Sequence, residues 1–134
     1  MKLNRRNFIS ASAGIAATIS SPMVFGASRP KVVVIGGGAG GATAARYIAK
    51  DSKGAIDVTL VEPTRSYYTC FFSNLYLGGF RDFDSIGHSY GKLASDYGIN
   101  VVHDWAVDVD SSGKTVSLAG GGTVNYDKLI LSPG

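Results

Sequence analysis

The amino-acid sequence predicts an α/β fold in which a parallel sheet built from a βαβ unit is followed by a β-meander. Three observations support this class. A short β-branched run precedes a glycine cluster, an alanine-rich segment follows it, and later stretches alternate apolar residues with glycine-rich turns. Such a run indicates a buried parallel strand, and the alanine-rich segment indicates a helix packed closely on it. The 134 residues suffice for one domain with a single core.

The βαβ unit begins the domain. Lys31–Ile35 (KVVVI) is predicted as a strand buried on both faces, and a helix is predicted over about residues 39–50. A second strand is predicted over residues 55–63, and it ends at Pro63 because proline cannot donate to a sheet ladder. Strand, helix and strand within roughly 30 residues indicate a right-handed crossover.

A glycine fingerprint joins the first strand to the helix. Gly36, Gly38 and Gly41 complete G-x-G-x-x-G, and Glu62 follows 21 residues after the last of them. The first glycine permits a tight turn, the second lets a pyrophosphate approach the backbone, and the third lets the helix pack on the sheet. The helix N-terminus offers N–H groups to an anion, and Glu62 can accept hydrogen bonds from both ribose hydroxyls. The pattern predicts a site for ADP, which NAD and FAD share.

The order of the later elements favours FAD over NAD. A helix is predicted at residues 90–98, and a strand follows at residues 99–103 and runs on toward residue 109. Turns at residues 111–114 and 120–122 flank a meander strand, and a buried run closes the chain at residues 129–131. This order resembles that of the first half of the FAD domain in glutathione-reductase-like flavoproteins. The sequence therefore predicts a truncated, Rossmann-like FAD-binding half-domain. We expect the turn with Pro133 and Gly134 to return to the FAD.

The first residues have the layout of a secretory leader. Arg5 and Arg6 precede an apolar run rich in alanine, glycine and serine, and small residues follow at positions 26–28. The arginine pair favours the twin-arginine form of bacterial export. We expect a signal peptide over residues 1–28, the N-terminal part of an FAD-binding domain over residues 29–134, and a location in the periplasm. A short anchor helix is disfavoured, because the run falls short of the ~20 residues of a membrane span.

The charge distribution argues against a nucleic-acid partner. The formal net charge is +3, from 13 Lys+Arg and 10 Asp+Glu. Lys2, Arg5 and Arg6 are three of the basic residues, so ten basic residues face ten acidic ones in the rest of the chain. The sequence also shows no metal-ligand cluster, no C-x-x-C-H for haem, and no transmembrane segment in the mature chain.

Cys70, the only cysteine, lies among aromatic residues. Its context alone leaves two interpretations open, a reactive thiol in an exported protein and a buried small hydrophobic side chain. Several stretches together resemble the flavoprotein subunit of flavocytochrome c sulfide dehydrogenase. The resemblance runs from about residue 29 to residue 134 and rests on KVVVIGGGAGGATAARYI, VTLVEP, YYTCFFSN, SIGHSYGKL, GINVVHDWA and YDKLILSPG.

This resemblance implies a covalent cofactor. In that family the matching cysteine carries FAD through a thioether to the 8α-methyl carbon of the isoalloxazine ring, and the resemblance implies the same role for Cys70. Positive charge favours the thiolate, and Arg65 is a candidate by its place in the sequence. Four aromatic residues are expected to shield the flavin edge: Tyr67, Tyr68, Phe71 and Phe72.

The resemblance also implies a reaction. Family members oxidise sulfide or a related small reduced-sulfur compound, and electrons pass through a redox-active disulfide and FAD to a c-type cytochrome subunit. This chain departs from the pattern, because Cys70 is its only cysteine and no second nucleotide-binding half follows. We therefore expect the N-terminal piece of a longer protein, inactive by itself and with no catalytic residue of its own. His88 and the His103-Asp104 pair are interpreted as surface or loop residues.

Two alternatives stay open. One is a fragment of a sulfide:quinone reductase-like flavoprotein, and the other is a catalytically inactive, truncated flavin-binding module.

Overall fold

The computed structural model describes residues 28–133 of the chain. Residues 1–27 of the expected signal peptide and the terminal Gly134 lie outside the described residues. The elements, in chain order, are β1 (Lys31–Ile35), α1 (Ala39–Ser52), β2 (Asp57–Val61), β3 (Ser66–Tyr68), α2 (Ser73–Leu77), a 3-10 helix (Phe83–Ile86), β4 (Gly87–Ser89), α3 (Gly91–Tyr97), β5 (Asn100–Val102), β6 (Ala106–Asp110), β7 (Thr115–Leu118), β8 (Thr123–Asn125) and β9 (Lys128–Leu131).

A four-stranded parallel sheet lies at the centre of the fold and confirms the predicted class. Its strand order is β5-β2-β1-β9, and every neighbouring pair is parallel. The Gly36 N–H donates to the Val61 carbonyl at 2.9 Å, and the Ser132 N–H donates to the Ile35 carbonyl at 2.8 Å. These bonds bring the chain that leaves β1, β2 and β9 to one edge of the sheet, where α/β folds bind ligands.

The central sheet is covered on both faces. Val32 and Val34 pack with Ala45 of α1 and with the α3 side of the fold, whereas Val33 packs with Val116 of β7 on the opposite face. Successive side chains of a strand point to opposite faces, so the predicted apolar run in β1 supplies two cores at once. The result is a helix layer, a parallel sheet and a meander layer.

The meander is present as predicted, but one predicted strand is divided. β6, β7 and β8 form an antiparallel sheet, whereas β5 ends at Val102 and pairs with β2. The expectation of one strand running from residue 99 toward residue 109 was therefore wrong. The physical reason is Asp104, whose carboxylate accepts the N–H groups of Trp105 at 2.7 Å and Gly120 at 2.9 Å. These bonds close a turn between the two sheets.

The segment with Cys70, for which the sequence predicted no helix or strand, contains regular structure. β3 and β4 pair antiparallel, with Tyr67 opposite His88, and α2 follows the cysteine. Three-residue strands are too short to show a period of two, so sequence patterning misses them. Within residues 28–133, no helix has the length and apolar character to cross a membrane.

Candidate functional site

A cavity of about 550 Å³ lies at the edge of the sheet where β1 and β2 end. Its lining includes the glycine loop at residues 36–38, together with Glu62, Tyr67, Tyr90, Trp105 and Pro133. Pro133, predicted to return to the cofactor, is thus at this cavity. An adenosine diphosphate moiety has a site of suitable chemistry here, because apolar and aromatic walls surround a few convergent polar groups.

The three fingerprint glycines have the contacts that their predicted tasks require. Gly36 has a φ of +99°, and a Cβ there would collide with the backbone oxygen of Ser132. A Cβ on Gly41 would collide with the Gly36 carbonyl, which explains the close approach of α1 to the strand end. At Gly38 a Cβ would meet nothing nearer than the Tyr67 ring at 3.9 Å. This open space over the backbone fits an approaching phosphate group.

The N-terminus of α1 offers free hydrogen-bond donors. Gly38 is the N-cap without a side-chain cap, and the first turn of α1 contains no acidic residue. Among residues 28–133, no hydrogen bond occupies the N–H groups of residues 38–41. Unpartnered N–H groups and the helix dipole attract anions. The site therefore fits the diphosphate of a dinucleotide, and its binding here stays a prediction.

Glu62, the predicted ribose acceptor, already has three protein donors. Its Oε2 accepts the Gly37 N–H at 2.7 Å, and its Oε1 accepts the backbone N–H and hydroxyl of Thr64 at 2.9 and 2.7 Å. Burial raises the pKa of this carboxyl, but the bonds from Thr64 and Gly37 and the nearby His103 outweigh burial and lower the pKa overall. A carboxylate has about four acceptor sites, so one remains for a ribose hydroxyl unless Thr64 is displaced.

Replacing Glu62 with glutamine is expected to reduce stability in a pH-dependent way. Because its pKa in the folded chain lies below the ordinary 4.5, the carboxylate stabilises the fold above that pH and loses this contribution as pH falls through the folded-state value. Urea unfolding should show wild type more stable than Glu62→Gln at neutral pH, with the difference vanishing in acid. ADP affinity should fall roughly tenfold, because a charged hydrogen bond is lost.

Asp110→Asn is the matched control for this prediction. Hydrogen bonds from Ser112 and Gly113 lower the pKa of the Asp110 carboxyl, so its stability effect should also disappear in acid. Asp110 is the last residue of β6, directly before the β6–β7 turn, and is not among the residues that line the cavity. An equal loss of ADP affinity in the two variants would contradict the role of Glu62.

Tyr90 is a residue of the cavity that the sequence analysis missed. It is buried, and its hydroxyl donates to the Gly37 carbonyl at 3.0 Å. Burial raises the pKa of this hydroxyl, and the negative charge of Glu62 raises it further. The sequence offered only a general indication of this role. A tyrosine near the start of a predicted helix needs a hydrogen-bond partner for its hydroxyl if it is buried.

Cys70 is exposed, so the interpretation as a buried small hydrophobic side chain was wrong. The aromatic residues around it divide into two pairs. Tyr67 and Tyr68 line the cavity, whereas Phe71 and Phe72 are each 59% exposed. Two of the four therefore lie where they can shield a bound ring, and two lie on the surface.

An arginine other than the one that the sequence suggested packs near the Cys70 segment. No hydrogen bond or ion pair within residues 28–133 joins Arg65 to Cys70. The guanidinium that packs near the segment belongs to Arg81, whose Cζ lies 5.0 Å from the centre of the Phe72 ring. Arg81 is thus a second basic residue close to this segment.

The two histidines have no catalytic arrangement among the described residues. His88 is an exposed residue of β4, and the His103 Nδ1 lies 3.1 Å from the backbone oxygen of Glu62. Asp104 bonds backbone amides of the turn, as described above, and not His103. Within residues 28–133, no group of three or more His, Cys, Asp or Glu side chains could hold a metal ion.

Comparison with known proteins gives three consistent findings. The family described as pyridine nucleotide-disulphide oxidoreductase matches residues 30–134. The flavoprotein chain of sulfide dehydrogenase (flavocytochrome c) from Chlorobaculum thiosulfatiphilum is 54% identical over 44 residues, which are 33% of this chain and 90% of that one. Sulfide-quinone reductase from Aquifex aeolicus (strain VF5) is 31% identical over 105 residues, which are 77% of this chain and 24% of that one.

A solved structure supports the same relationship. The sulfide:quinone oxidoreductase of Aquifex aeolicus superposes with a TM-score of 0.66 and 27% sequence identity, over 78% of this chain and 24% of that chain. This chain therefore spans about a quarter of the length of that enzyme. The resemblance drawn from the sequence motifs is confirmed by these relatives.

Proposed function

Because this chain belongs to the pyridine nucleotide-disulphide oxidoreductase family, we propose that it is the FAD-binding portion of a periplasmic flavoprotein. In this proposal, electrons pass from sulfide, or from a related small reduced-sulfur compound, through FAD to a c-type cytochrome subunit. The family implies FAD binding, and the relatives place the chain among flavoprotein sulfur oxidoreductases. The covalent bond, the cytochrome and the periplasm are the proposed parts.

One observation carries the choice of a cytochrome partner. The 54% identity over 44 residues is to the flavoprotein chain of a sulfide dehydrogenase whose name includes flavocytochrome c. The exposed thiol of Cys70 supports the proposal independently, because a thiol at the surface is accessible to a flavin ring and a core thiol is not.

Different residues of the chain would bind different parts of FAD. The N–H groups of residues 38–41 would bind the diphosphate, Glu62 would accept one ribose hydroxyl, and Cys70 would form the thioether. Pro133 would approach the cofactor from the end of β9, and the same role is proposed for Gly134, which lies outside the described residues. When bound, FAD supplies an acceptor for two electrons that it can release singly to a haem. The chain itself would orient the cofactor, and Tyr67 and Tyr68, which line the cavity, would exclude water from it. When the thioether forms, the thiol hydrogen and one hydrogen of the 8α-methyl group would pass with two electrons to the oxidised flavin itself.

A quinone acceptor is the second candidate function. It is favoured by the 31% identity over 105 residues to a sulfide-quinone reductase and by the superposition on such an enzyme. The two candidates share the FAD site and differ in the acceptor, so an electron-transfer experiment separates them.

We expect the full chain, loaded with FAD and reduced with dithionite, to reduce a soluble c-type cytochrome faster than it reduces decylubiquinone. Stopped-flow absorbance of the haem and of the flavin measures both rates, and the flavin-free chain is the control. Faster reduction of the quinone would favour the second candidate. Uptake of FAD without reduction of either acceptor would favour the inactive, truncated flavin-binding module, and failure of the chain to take up FAD would contradict the proposal.

A further inference from the structure

The glycine loop has an unusually free backbone at its centre. Residues 36–38 are three consecutive glycines, and glycine adopts positive and negative φ with similar ease. The peptide group between Gly37 and Gly38 therefore has little steric preference for one orientation. A site that binds phosphate through the Gly38 N–H needs this orientation fixed before the ligand arrives, because ordering it on binding would weaken affinity.

Tyr90 makes the contact that fixes this peptide group. Its hydroxyl donates to the Gly37 carbonyl at 3.0 Å, and Tyr90 itself is only 5% exposed. The ring packs in the core on the helix side of the sheet, with Val34 and Leu60 among the residues of that cluster. A buried side chain held in this way has few other positions available.

The backbone N–H and the carbonyl of Gly37 are both hydrogen-bonded to side chains. Its N–H donates to Glu62 Oε2 at 2.7 Å, while its carbonyl accepts from Tyr90. A Cβ on Gly37 would lie 2.6 Å from the Tyr90 hydroxyl oxygen and 2.7 Å from Glu62 Cγ. The two bonds thus hold the peptide groups on both sides of the Gly37 Cα. Because they leave no room for a Cβ, the middle position of this loop is also glycine.

We propose that Tyr90 is a positioning residue of the dinucleotide site, which aims the Gly38 N–H at the diphosphate by holding the Gly37 carbonyl. In a trans peptide the carbonyl and the N–H point in opposite directions, so a carbonyl bonded to Tyr90 directs the Gly38 N–H away from Tyr90. That N–H has no partner among residues 28–133. The inference rests on the proposed binding of FAD, since it names the group that Tyr90 serves.

Tyr90→Phe tests the proposal, because it removes the hydroxyl and keeps the ring that fills the core. Titration of the flavin-free full chain with ADP should show a dissociation constant raised about five- to tenfold, the effect of one lost hydrogen bond. Adenosine, which has no phosphate, should bind both proteins with similar affinity. Equal losses for ADP and adenosine would indicate a merely structural role and overturn the proposal, as would unchanged ADP affinity.

Tyr97→Phe is the matched control. Tyr97 is the last residue of α3, the helix that begins directly after Tyr90. Its hydroxyl accepts a hydrogen bond from Arg46 Nε at 2.9 Å and not from the glycine loop. This variant also loses a hydrogen-bonded hydroxyl, but its ADP affinity should stay at the wild-type value. A loss of ADP affinity equal to that of Tyr90→Phe would contradict a specific role for Tyr90.

The backbone orientation can be followed without any ligand. In ¹H–¹⁵N spectra of the flavin-free chain, Tyr90→Phe should broaden or double the Gly38 amide signal, while Tyr97→Phe leaves it single. An unchanged Gly38 signal in Tyr90→Phe would overturn the proposal. If wild type bound neither ADP nor FAD, the proposed function would fail, and these spectra would still decide whether Tyr90 fixes the peptide.

Discussion

The Gly36→Ala variant is expected to lose more than about 3 kcal/mol of folding free energy. Two costs combine at this position. The φ of +99° is unfavourable for any residue with a side chain, and the new Cβ would collide with the Ser132 carbonyl. Ser132 follows β9, whose pairing with β1 delivers Pro133 to the cavity. Relief of the collision would therefore also move the chain at the cofactor site, and FAD content should fall with stability. Urea unfolding and flavin absorbance measure the two effects.

Gly121→Ala separates these two costs. Gly121 has a similar φ of +93°, but nothing lies within 4 Å of a Cβ built there. This variant should therefore lose only the strain of a left-handed backbone, about 1–2 kcal/mol, and should retain FAD. If Gly36→Ala were no more destabilising than Gly121→Ala, the close approach of β9 to the glycine loop would be wrong.

Cys70→Ser is expected to convert covalently bound FAD into dissociable FAD. The serine hydroxyl occupies the place of the thiol but is smaller and cannot form the thioether, so acid or denaturant should release all flavin from the variant and none from the loaded wild type. Folding should change little, since Cys70 is exposed and exposed substitutions usually alter stability by within about 0.5 kcal/mol. Flavin fluorescence of the protein band on a denaturing gel gives the readout.

Ser85→Ala is a suitable control for this variant. Ser85 lies in the 3-10 helix that precedes β4. Its hydroxyl donates to the Asp82 carbonyl at 2.6 Å and not to Cys70. It should retain covalent flavin. Equal retention of flavin by Cys70→Ser and wild type after denaturation would show that the bond is made elsewhere or not at all.

The sequence allowed prediction of those elements whose signals are local. β1 is a run of β-branched residues, the fingerprint places three glycines at fixed spacing, and the meander strands alternate between glycine-rich turns. Each signal arises from constraints within a few neighbouring residues, such as the left-handed φ at Gly36. The sequence therefore predicted a nucleotide site at the glycine loop with Glu62 beside it, and the cavity lies at these residues.

The remaining features depend on contacts between distant residues. Tyr90 meets Gly37 across 53 positions of sequence, and nothing near Tyr90 in the sequence encodes that partner. The division between β5 and β6 depends on Asp104 bonding Gly120, a residue beyond the next strand. The exposure of Cys70, which lies between β3 and α2, likewise depends on how the rest of the chain packs around it and not on its neighbours in sequence.

Mass spectrometry of the denatured full chain tests most directly whether Cys70 holds FAD. The protein should be produced with residues 1–28, the proposed leader, in a host that has twin-arginine export, and then purified with its colour, denatured and digested. We predict that the peptide containing Cys70 carries the mass of one FAD through a thioether, and that the supernatant contains no flavin. An unmodified Cys70 peptide, with free FAD in the supernatant or with no flavin at all, would contradict the proposed covalent flavoprotein.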